Sequence, residues 1–241
     1  MDDVARTAIV TGGGKRVGAG IVGALLADGW RVVAHVHHED DAVPGGALKV
    51  VADLAATNCA ETIFAAAGGV VDLLVNNAAR FHWDGVGAAS ASEFDAHMAV
   101  NARAPMLLID ALARRHAAGT SALVVNILDA KLAAPNPDYL SYTLSKYAAA
   151  GLTELAARAL AGKGIRVNAI APALMLRSGA QDEADHARVH ALNPLGRGVE
   201  VDDVVGALRF LIDQPAMTGQ TLVIDGGQRF MALPRDVQFV E

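Results

Sequence analysis

The chain of 241 residues is predicted to fold as an α/β protein, with a doubly wound parallel sheet of seven strands and helices on both faces. Three observations predict this class. Strand-length apolar runs alternate with helical patterns, a glycine-rich turn follows the first run, and polar residues follow several later ones. Alternation at this spacing indicates parallel strands joined by right-handed crossovers. The residues that follow the strands then lie along one edge of the sheet, where open α/β sheets bind ligands.

The order of the elements follows from where each pattern begins and ends. Apolar runs predict strands at residues 4–11, 31–36, 48–51, 71–76, 121–127, 165–171 and 220–224. Helical periodicity predicts helices at residues 16–28, 58–67, 92–117, 140–162 and 201–213. The polar stretch 173–197 is either a surface connection or, as we expect, a substrate lid, because long connections at a binding edge are usually functional. No linker separates the elements, so a single domain over residues 1–241 is predicted.

The composition argues against several classes of function. A net charge of −6 without a basic run makes nucleic acid an improbable partner. The apolar stretches are no longer than a strand, so no transmembrane helix is expected. No secretion signal is expected either, because Met1-Asp2-Asp3 lacks the basic region of one. The single Cys59 excludes an internal disulfide and fits the reducing cytoplasm, and we expect it to be a buried helix residue. No metal site is expected, because the adjacent His37 and His38 cannot share a strand face.

A glycine-rich turn, Thr11-Gly12-Gly13-Gly14-Lys15-Arg16-Val17-Gly18, stands between the first predicted strand and the first predicted helix. The bare N–H groups of such a turn and the positive end of the helix can bind a phosphate group. A second strand follows at the spacing of a βαβ unit, which is the context that separates a dinucleotide site from an ordinary turn. The turn therefore predicts a dinucleotide cofactor.

Tyr142 and Lys146 are four residues apart in a predicted helix, so their side chains share one face. A lysine ammonium near a tyrosine stabilises the phenolate and is expected to lower the pKa of Tyr142. The pair is thus predicted to be an acid/base device. Asp129 lies thirteen residues before the tyrosine, at the end of a predicted strand.

Together these residues resemble the short-chain dehydrogenase/reductase family. The matching pieces, in family order, are Thr11-Gly12-x5-Gly18, Asp53-Leu54, Asn76-Asn77-Ala78, Asn101, Tyr142-x3-Lys146 and Ile224-Asp225-Gly226-Gly227. The resemblance covers nearly the whole chain and implies a Rossmann-like sheet, a nicotinamide dinucleotide and hydride transfer. It also implies that Asp53 and Leu54 face the adenine, that Asn77 and Ala78 line the cofactor cleft, and that Asn101 holds a water linked to the lysine.

Two departures from the common family pattern resemble the pteridine reductase branch. Arg16 replaces the middle glycine of the turn, and Asp129 replaces a serine that donates to a carbonyl oxygen. An ionised aspartate cannot donate and repels a developing oxyanion, so it favours the C=N bond of a nitrogen heterocycle, unless it only caps its loop. Phe81 matches the ring that stacks on the pterin in that branch, whereas Ala79 replaces a serine that holds it. The resemblance implies reduction of a pterin or dihydrofolate-like heterocycle. Ketone reduction and a non-catalytic dinucleotide sensor are the alternatives.

The end of the second strand bears on the choice of cofactor. No aspartate immediately follows this strand, whereas NAD-preferring members usually place one there for the ribose hydroxyls. Lys15 and Arg16 add positive charge, while Glu39 and Asp40 oppose it, and we expect NADPH rather than NADH.

Expected catalytic residues are Asn101, Asp129, Tyr142 and Lys146. Expected cofactor-binding residues are Gly12, Lys15, Arg16, Val17, Gly18, His37, His38, Asp53, Leu54, Asn77, Ala78, Tyr142, Lys146 and Pro172, and expected substrate-binding residues are Arg16, Phe81, Asp129, Tyr142 and Leu174. Helices 92–117 and 140–162 are apolar on more than one face, which predicts a homotetramer.

Overall fold

A seven-stranded sheet in the order β3-β2-β1-β4-β5-β6-β7 forms the centre of the computed structural model, and all of its strand pairs are parallel. The structure describes residues 5–173, 190–191, 193–236 and 239. The strands are β1 Thr7–Val10, β2 Arg31–Val36, β3 Leu48–Val51, β4 Leu73–Asn76, β5 Ala122–Ile127, β6 Ile165–Pro172 and β7 Thr221–Ile224. The predicted doubly wound parallel sheet is confirmed.

Helices cover both faces of this sheet. They are α1 Arg16–Ala27, α2 Cys59–Ala67, α3 Ala91–Met98, α4 Ala104–Arg115, α5 Leu140–Leu160 and α6 Val201–Asp213. One core lies between the sheet and helices α2, α4 and α5, with Ile63 and Leu108 fully buried at its centre. The other core lies between the sheet and helices α1 and α6, with Ile21 and Leu211 fully buried. Two apolar faces on one sheet explain why its central strands are continuous apolar runs rather than alternating patterns.

The helix predicted at 92–117 is interrupted. A π-helical turn, Ala99–Arg103, separates α3 from α4 and contains Asn101. Pro105 has no N–H, so it cannot donate to the carbonyl group of Asn101 four residues earlier, as a continuous α-helix would require. Single π-helical turns of this kind are frequent at functional sites.

The carboxyl ends of the strands meet along one edge of the sheet, as the sequence predicts. The glycine turn follows β1, Asn77 follows β4, and Asp129 follows β5. Of the predicted lid at 173–197, residues 174–189 and 192 lie outside the described residues, and so does the substrate-binding candidate Leu174. Within the described part of the chain, every helix is too short or too polar to cross a membrane.

Candidate active site

The glycine turn after β1 borders a space lined by backbone atoms. A side chain in place of a glycine of this turn would fill that space. A Cβ atom on Gly18 would lie 1.9 Å from the carbonyl oxygen of Gly12 and 2.7 Å from the side-chain nitrogen of Asn77. Gly12 has φ +65°, a conformation that other residues rarely adopt. Because α1 begins at Arg16, its N-terminal amides and positive dipole end lie beside this space. The turn therefore fits the pyrophosphate of a dinucleotide.

Thr11 connects the glycine turn to the loop after β4. Its hydroxyl oxygen accepts hydrogen bonds from the backbone amides of Asn77 and Ala78, each at 3.0 Å. The side chain of Asn77 donates to the carbonyl of Thr11 at 2.9 Å. These bonds fix the turn against the loop, so Asn77 and Ala78 shape the cleft as well as line it. Sequence reasoning used Thr11 only as part of a motif and did not identify this role.

A cleft of about 660 Å³ runs along the carboxyl edge of the sheet. It is lined by nearly all of the predicted cofactor-binding residues: Gly12, Lys15, Arg16, Val17, Gly18, His37, Asp53, Leu54, Asn77, Ala78, Tyr142, Lys146 and Pro172. His38 does not line it, and its backbone amide donates to the carboxylate of Asp41 at 3.0 Å. Arg16 has φ +52°, in the left-handed region, which explains why a glycine suits this position. The volume of this cleft is in the range found for ligand pockets.

His35 is a buried histidine that joins two loops of the cleft. Its Nδ1 accepts a hydrogen bond from the Gly12 amide at 3.2 Å, and its Nε2 lies 3.0 Å from the carbonyl oxygen of Ala52. Both bonds form only when the ring is neutral and carries its proton on Nε2. Burial lowers the pKa of His35, partly offset by its hydrogen bond to Ala52, with smaller effects of His37, Asp41 and Asp53. The sequence patterns did not indicate this role of His35.

The acidic groups near the end of β2 are arranged differently from the prediction. Glu39 forms an ion pair with Lys49 at 3.5 Å and, like Asp40, does not line the cleft. Asp41 lines it instead. The amide of His38, with smaller contributions that include the charge of Lys15, holds the pKa of Asp41 below its ordinary value. Of the three acidic residues that follow β2, the one that lines the cleft is therefore Asp41, and not Glu39 or Asp40, which the sequence analysis named.

Asp129 contacts the tyrosine directly. The Tyr142 hydroxyl donates to Oδ2 of Asp129 at 2.8 Å, and the backbone amide of Lys131 donates to Oδ1 at 2.8 Å. The second bond caps the 3-10 turn Ala130–Ala133 that follows β5. The aspartate thus caps its loop, as the structural alternative supposed, and also holds the hydroxyl of the predicted acid/base tyrosine.

The prediction that the pKa of Tyr142 is lowered is wrong in direction. Burial, reinforced by the charge and hydrogen bond of Asp129, raises the pKa of Tyr142 well above its ordinary value. Lys146 does not touch the hydroxyl, because its ammonium donates to the carbonyl of Ile127 at 2.7 Å and lies 5.6 Å from the tyrosine ring centre. Burial lowers the pKa of Lys146 to about 8. At neutral pH the pair is therefore a neutral tyrosine beside a mostly protonated lysine.

Asn101 ties the loop after β4 to helix α5. Its side chain accepts from the Arg80 amide at 2.7 Å and donates to the Arg80 carbonyl and to the Ser145 hydroxyl, each at 2.9 Å. Ser145 in turn donates to the carbonyl of Tyr142 at 2.6 Å. This network holds the helix turn that carries the tyrosine. Ser145 was missed because a serine between two motif residues gives no pattern of its own.

A smaller cavity of about 90 Å³ adjoins the cleft, and both are lined by Phe81, Asp129, Tyr142 and Ala173. The Phe81 ring meets the Tyr142 ring edge to face at a centroid distance of 4.7 Å, and it stacks on Tyr139 at 4.3 Å. Arg16 lines the larger cleft and not this cavity. The structure therefore brings together three of the predicted substrate-binding residues at the boundary between the two spaces.

Comparison with known proteins decides the family. A family model described as enoyl-(acyl carrier protein) reductase matches residues 14–229. The chain belongs to the short-chain dehydrogenase/reductase family. It is therefore an oxidoreductase of the short-chain type.

Relatives within the short-chain dehydrogenase/reductase family differ in their named activities. Pteridine reductase 1 of Leishmania tarentolae is 31% identical, over 92% of this chain and 96% of that protein. L-xylulose reductase of Bos taurus is 35% identical over the same shares. Among solved structures, FolM alternative dihydrofolate reductase 1 from Brucella canis, complexed with NADP, has a TM-score of 0.85 at 34% identity, over 93% of this chain and 94% of that chain. The chain is thus similar to reductases of both heterocycles and carbonyl compounds.

Three further observations concern the cavity wall, metal binding and the cysteine of this short-chain dehydrogenase/reductase. The outer wall of the small cavity includes Lys131, Arg229 and Asp236, none of which the sequence patterns indicated. Among the residues described, histidine, cysteine, aspartate and glutamate form no group of three or more that could hold a metal ion. Cys59 is buried in α2, and burial raises the pKa of its thiol.

Proposed function

We propose that this chain is an NADPH-dependent reductase that reduces a C=N bond of a pterin or a dihydrofolate-like heterocycle. The observation that carries the proposal is the hydrogen bond from Tyr142 to Asp129 beside the small cavity. It puts a hydrogen-bond acceptor where the common family pattern has a serine donor, which suits a ring nitrogen and its N–H neighbours better than a carbonyl oxygen. The similarity to a pteridine reductase and to an alternative dihydrofolate reductase supports the same substrate class.

The cleft has the groups that an NADP cofactor requires. The glycine turn and the first amides of α1 would hold the pyrophosphate, and Asp53 and Leu54 would face the adenine. Lys15 and His37 would bind the additional phosphate. Lys146 would bind the ribose next to the nicotinamide. When bound, NADPH supplies the hydride, and the NADP in the Brucella canis structure supports this choice of cofactor.

The residues of the small cavity would orient the heterocycle and protonate it. The substrate ring stacks against Phe81, and Asp129 accepts from its N–H edge. The Tyr142 hydroxyl is protonated at neutral pH, and its raised pKa keeps it so until the substrate nitrogen takes the proton, directly or through a water held by Asp129. Asn101 would order the water path that returns the proton to Tyr142. Its backbone carbonyl would take part, because Pro105 has no N–H to donate to it.

Carbonyl reduction is the second candidate, because L-xylulose reductase of Bos taurus is 35% identical to this chain. A carbonyl substrate would need a donor to its oxygen, and Tyr142 could provide one. Asp129 would then lie close to the developing oxyanion, which its negative charge would destabilise.

We further propose that residues 1–241 form one domain and that four copies assemble as a homotetramer.

A parallel substrate screen tests the proposal. Purified protein is mixed with NADPH and with dihydrobiopterin, dihydrofolate, L-xylulose or a simple ketone, and NADPH consumption is followed by absorbance. We expect turnover with one of the two heterocycles and its loss in the Tyr142→Phe variant. Turnover with ketones alone would favour the carbonyl reductase, and binding of NADPH without any turnover would favour the dinucleotide sensor.

A further inference from the structure

The chain after β7 returns over the substrate side of the site. A 3-10 turn, Gln228–Met231, follows Gly227, and the segment then continues to Asp236. Arg229, Leu233 and Asp236 line the small cavity, together with Asp129 and Tyr142 on its inner side. The C-terminal segment, residues 228–236, is therefore the outer wall of the space in which the substrate ring would lie.

Hydrogen bonds fasten this C-terminal segment at both ends. At its start, the buried Asp225 accepts from the amides of Gly227 at 3.0 Å and Arg229 at 3.1 Å. At its end, both nitrogens of the Arg235 fork donate to the two oxygens of Asp138 at 2.8 Å. A bidentate pair of this kind fixes orientation as well as distance. The amide of Asp236 also donates to Asp138 at 2.8 Å, so the position of Asp236 is set by its backbone.

The side chain of Asp236 is largely buried at the cavity. It is 14% exposed, and one of its oxygens lies 3.6 Å from the ammonium of Lys131, which is 9% exposed. Lys131 also donates to the carbonyl of Asp138. Asp236 is near enough to the catalytic tyrosine that its charge is among the causes raising the pKa of Tyr142. An ionised carboxylate has no N–H or O–H to donate, so Asp236 meets the cavity as a hydrogen-bond acceptor.

We propose that Asp236 is a specificity-determining residue that, with Asp129, accepts hydrogen bonds from the N–H and amino groups of the heterocycle. This assignment rests on the proposed function. Carboxylates at two places on the wall of one small cavity favour a substrate edge rich in donors, such as the amino-pyrimidine edge of a pterin. Lys131 and Arg229 line the same cavity, where Lys131 is paired with Asp236 and Arg229 with Asp225. The Asp138–Arg235 pair is then a positioning device that holds Asp236 at the cavity.

The test replaces Asp236 with asparagine, which keeps the side-chain size and the backbone bond to Asp138 but removes the charge. We expect the KM for dihydrobiopterin or dihydrofolate to rise about 10- to 100-fold, the range for a hydrogen bond to a charged group. The dissociation constant of NADPH should stay unchanged, because Asp236 does not line the cofactor cleft. The melting temperature should fall, because the variant loses the ion pair with the buried Lys131.

A second variant tests the positioning device with a matched control. Arg235→Gln removes the fork that holds the segment and should raise the same KM while leaving the NADPH dissociation constant unchanged. Arg209→Gln is the control, because Arg209 makes an equivalent pair with Asp28, at 2.8 Å for both nitrogens, away from the site. The control should not change the KM for the heterocycle.

The outcomes separate the two proposals. If the wild-type protein reduces a heterocycle and Asp236→Asn leaves its KM within twofold, the assignment of Asp236 is overturned while the proposed function stands. If the wild-type protein reduces only ketones, the proposed function fails and the recognition of N–H groups by Asp236 fails with it. If Asp236→Asn does not fold, Asp236→Ser decides, because it also removes the carboxylate and keeps the backbone bond to Asp138; an unchanged KM there overturns the assignment.

Discussion

Replacing Asp129 with asparagine separates its two contacts. Asparagine keeps the size of the side chain, but it has one oxygen in place of two. That oxygen can still accept from the Lys131 amide, the bond that caps the turn after β5. The amide nitrogen would then face the hydroxyl of Tyr142, where the carboxylate now accepts at 2.8 Å. The fold should therefore survive while the contact with the tyrosine changes.

The expected loss of activity is large. Removing a positioned acid/base group typically lowers the rate about 10²- to 10⁴-fold, which corresponds to about 2.7–5.5 kcal/mol of transition-state stabilisation. Asp129→Ala should fall in the same range and should also lose the cap, at a cost of about 0.5–2 kcal/mol of stability. Asp129→Ser should fail on the heterocycle but gain weak ketone activity, because its hydroxyl can donate to a carbonyl oxygen.

The pH profile gives a second readout for the Asp129→Asn variant. The charge of Asp129 and its hydrogen bond both raise the pKa of Tyr142. Without them, the tyrosine loses its proton at a lower pH, so the alkaline limb of the rate profile should shift toward lower pH. NADPH oxidation with the heterocycle measures the rate, and a thermal melt of each variant checks the fold. Full turnover and an unchanged profile in a folded Asp129→Asn protein would show that the aspartate is only a cap.

Four further predictions concern the cofactor, stability and assembly. NADPH should bind more tightly than NADH, because two cations follow β1 and no aspartate immediately follows β2; equal or tighter binding of NADH in a titration would overturn this. Gly18→Ala should abolish NADPH binding by calorimetry, because the new Cβ would lie 1.9 Å from the Gly12 carbonyl oxygen; wild-type affinity in that variant would contradict the role of the turn. Stability should fall as the pH drops below 6.5, because the unfolded chain then binds a proton that the buried His35, with its lowered pKa, does not; a His35→Gln variant that shows the same slope in melts at several pH values would exclude this cause. The protein should be a homotetramer, because apolar side chains on α4 and α5, such as Met106 and Leu155, are 45% and 68% exposed in the monomer; light scattering at micromolar concentration should not give a monomer mass.

Local patterns in the sequence were enough to predict the sheet and most of the cofactor cleft. Strands β2 and β3 begin and end at the predicted residues. In β2 every residue after Arg31 is buried, as expected for a parallel strand that is covered on both faces. The glycine turn was equally predictable, since Gly12 and Gly18 occupy positions where a side chain cannot fit. In the helix predicted at 92–117, Pro105 is a signal for the break at Asn101, which the continuous helical periodicity did not indicate.

Charge and proton placement in the site depended on contacts between residues far apart in the chain. The sequence predicts that Tyr142 and Lys146 share a helix face, and the structure shows that Asp129 rather than Lys146 touches the hydroxyl. Burial, together with the charge and hydrogen bond of Asp129, raises the pKa of Tyr142, whereas the sequence predicted that it is lowered. In the same way, folding turns Asp41 toward the cleft and leaves Glu39 paired with Lys49.

The sequence by itself determined the fold class and the family, and it proposed the acid/base residues, because each of these depends on spacing along one strand, turn or helix. Only the tertiary structure decided which groups surround the substrate cavity. Asp236 reaches Lys131 across more than a hundred residues of chain, and Arg235 reaches Asp138 over a similar distance. Contacts of this kind follow from how the segment after β7 packs on the loop after β5, and no local periodicity records that packing.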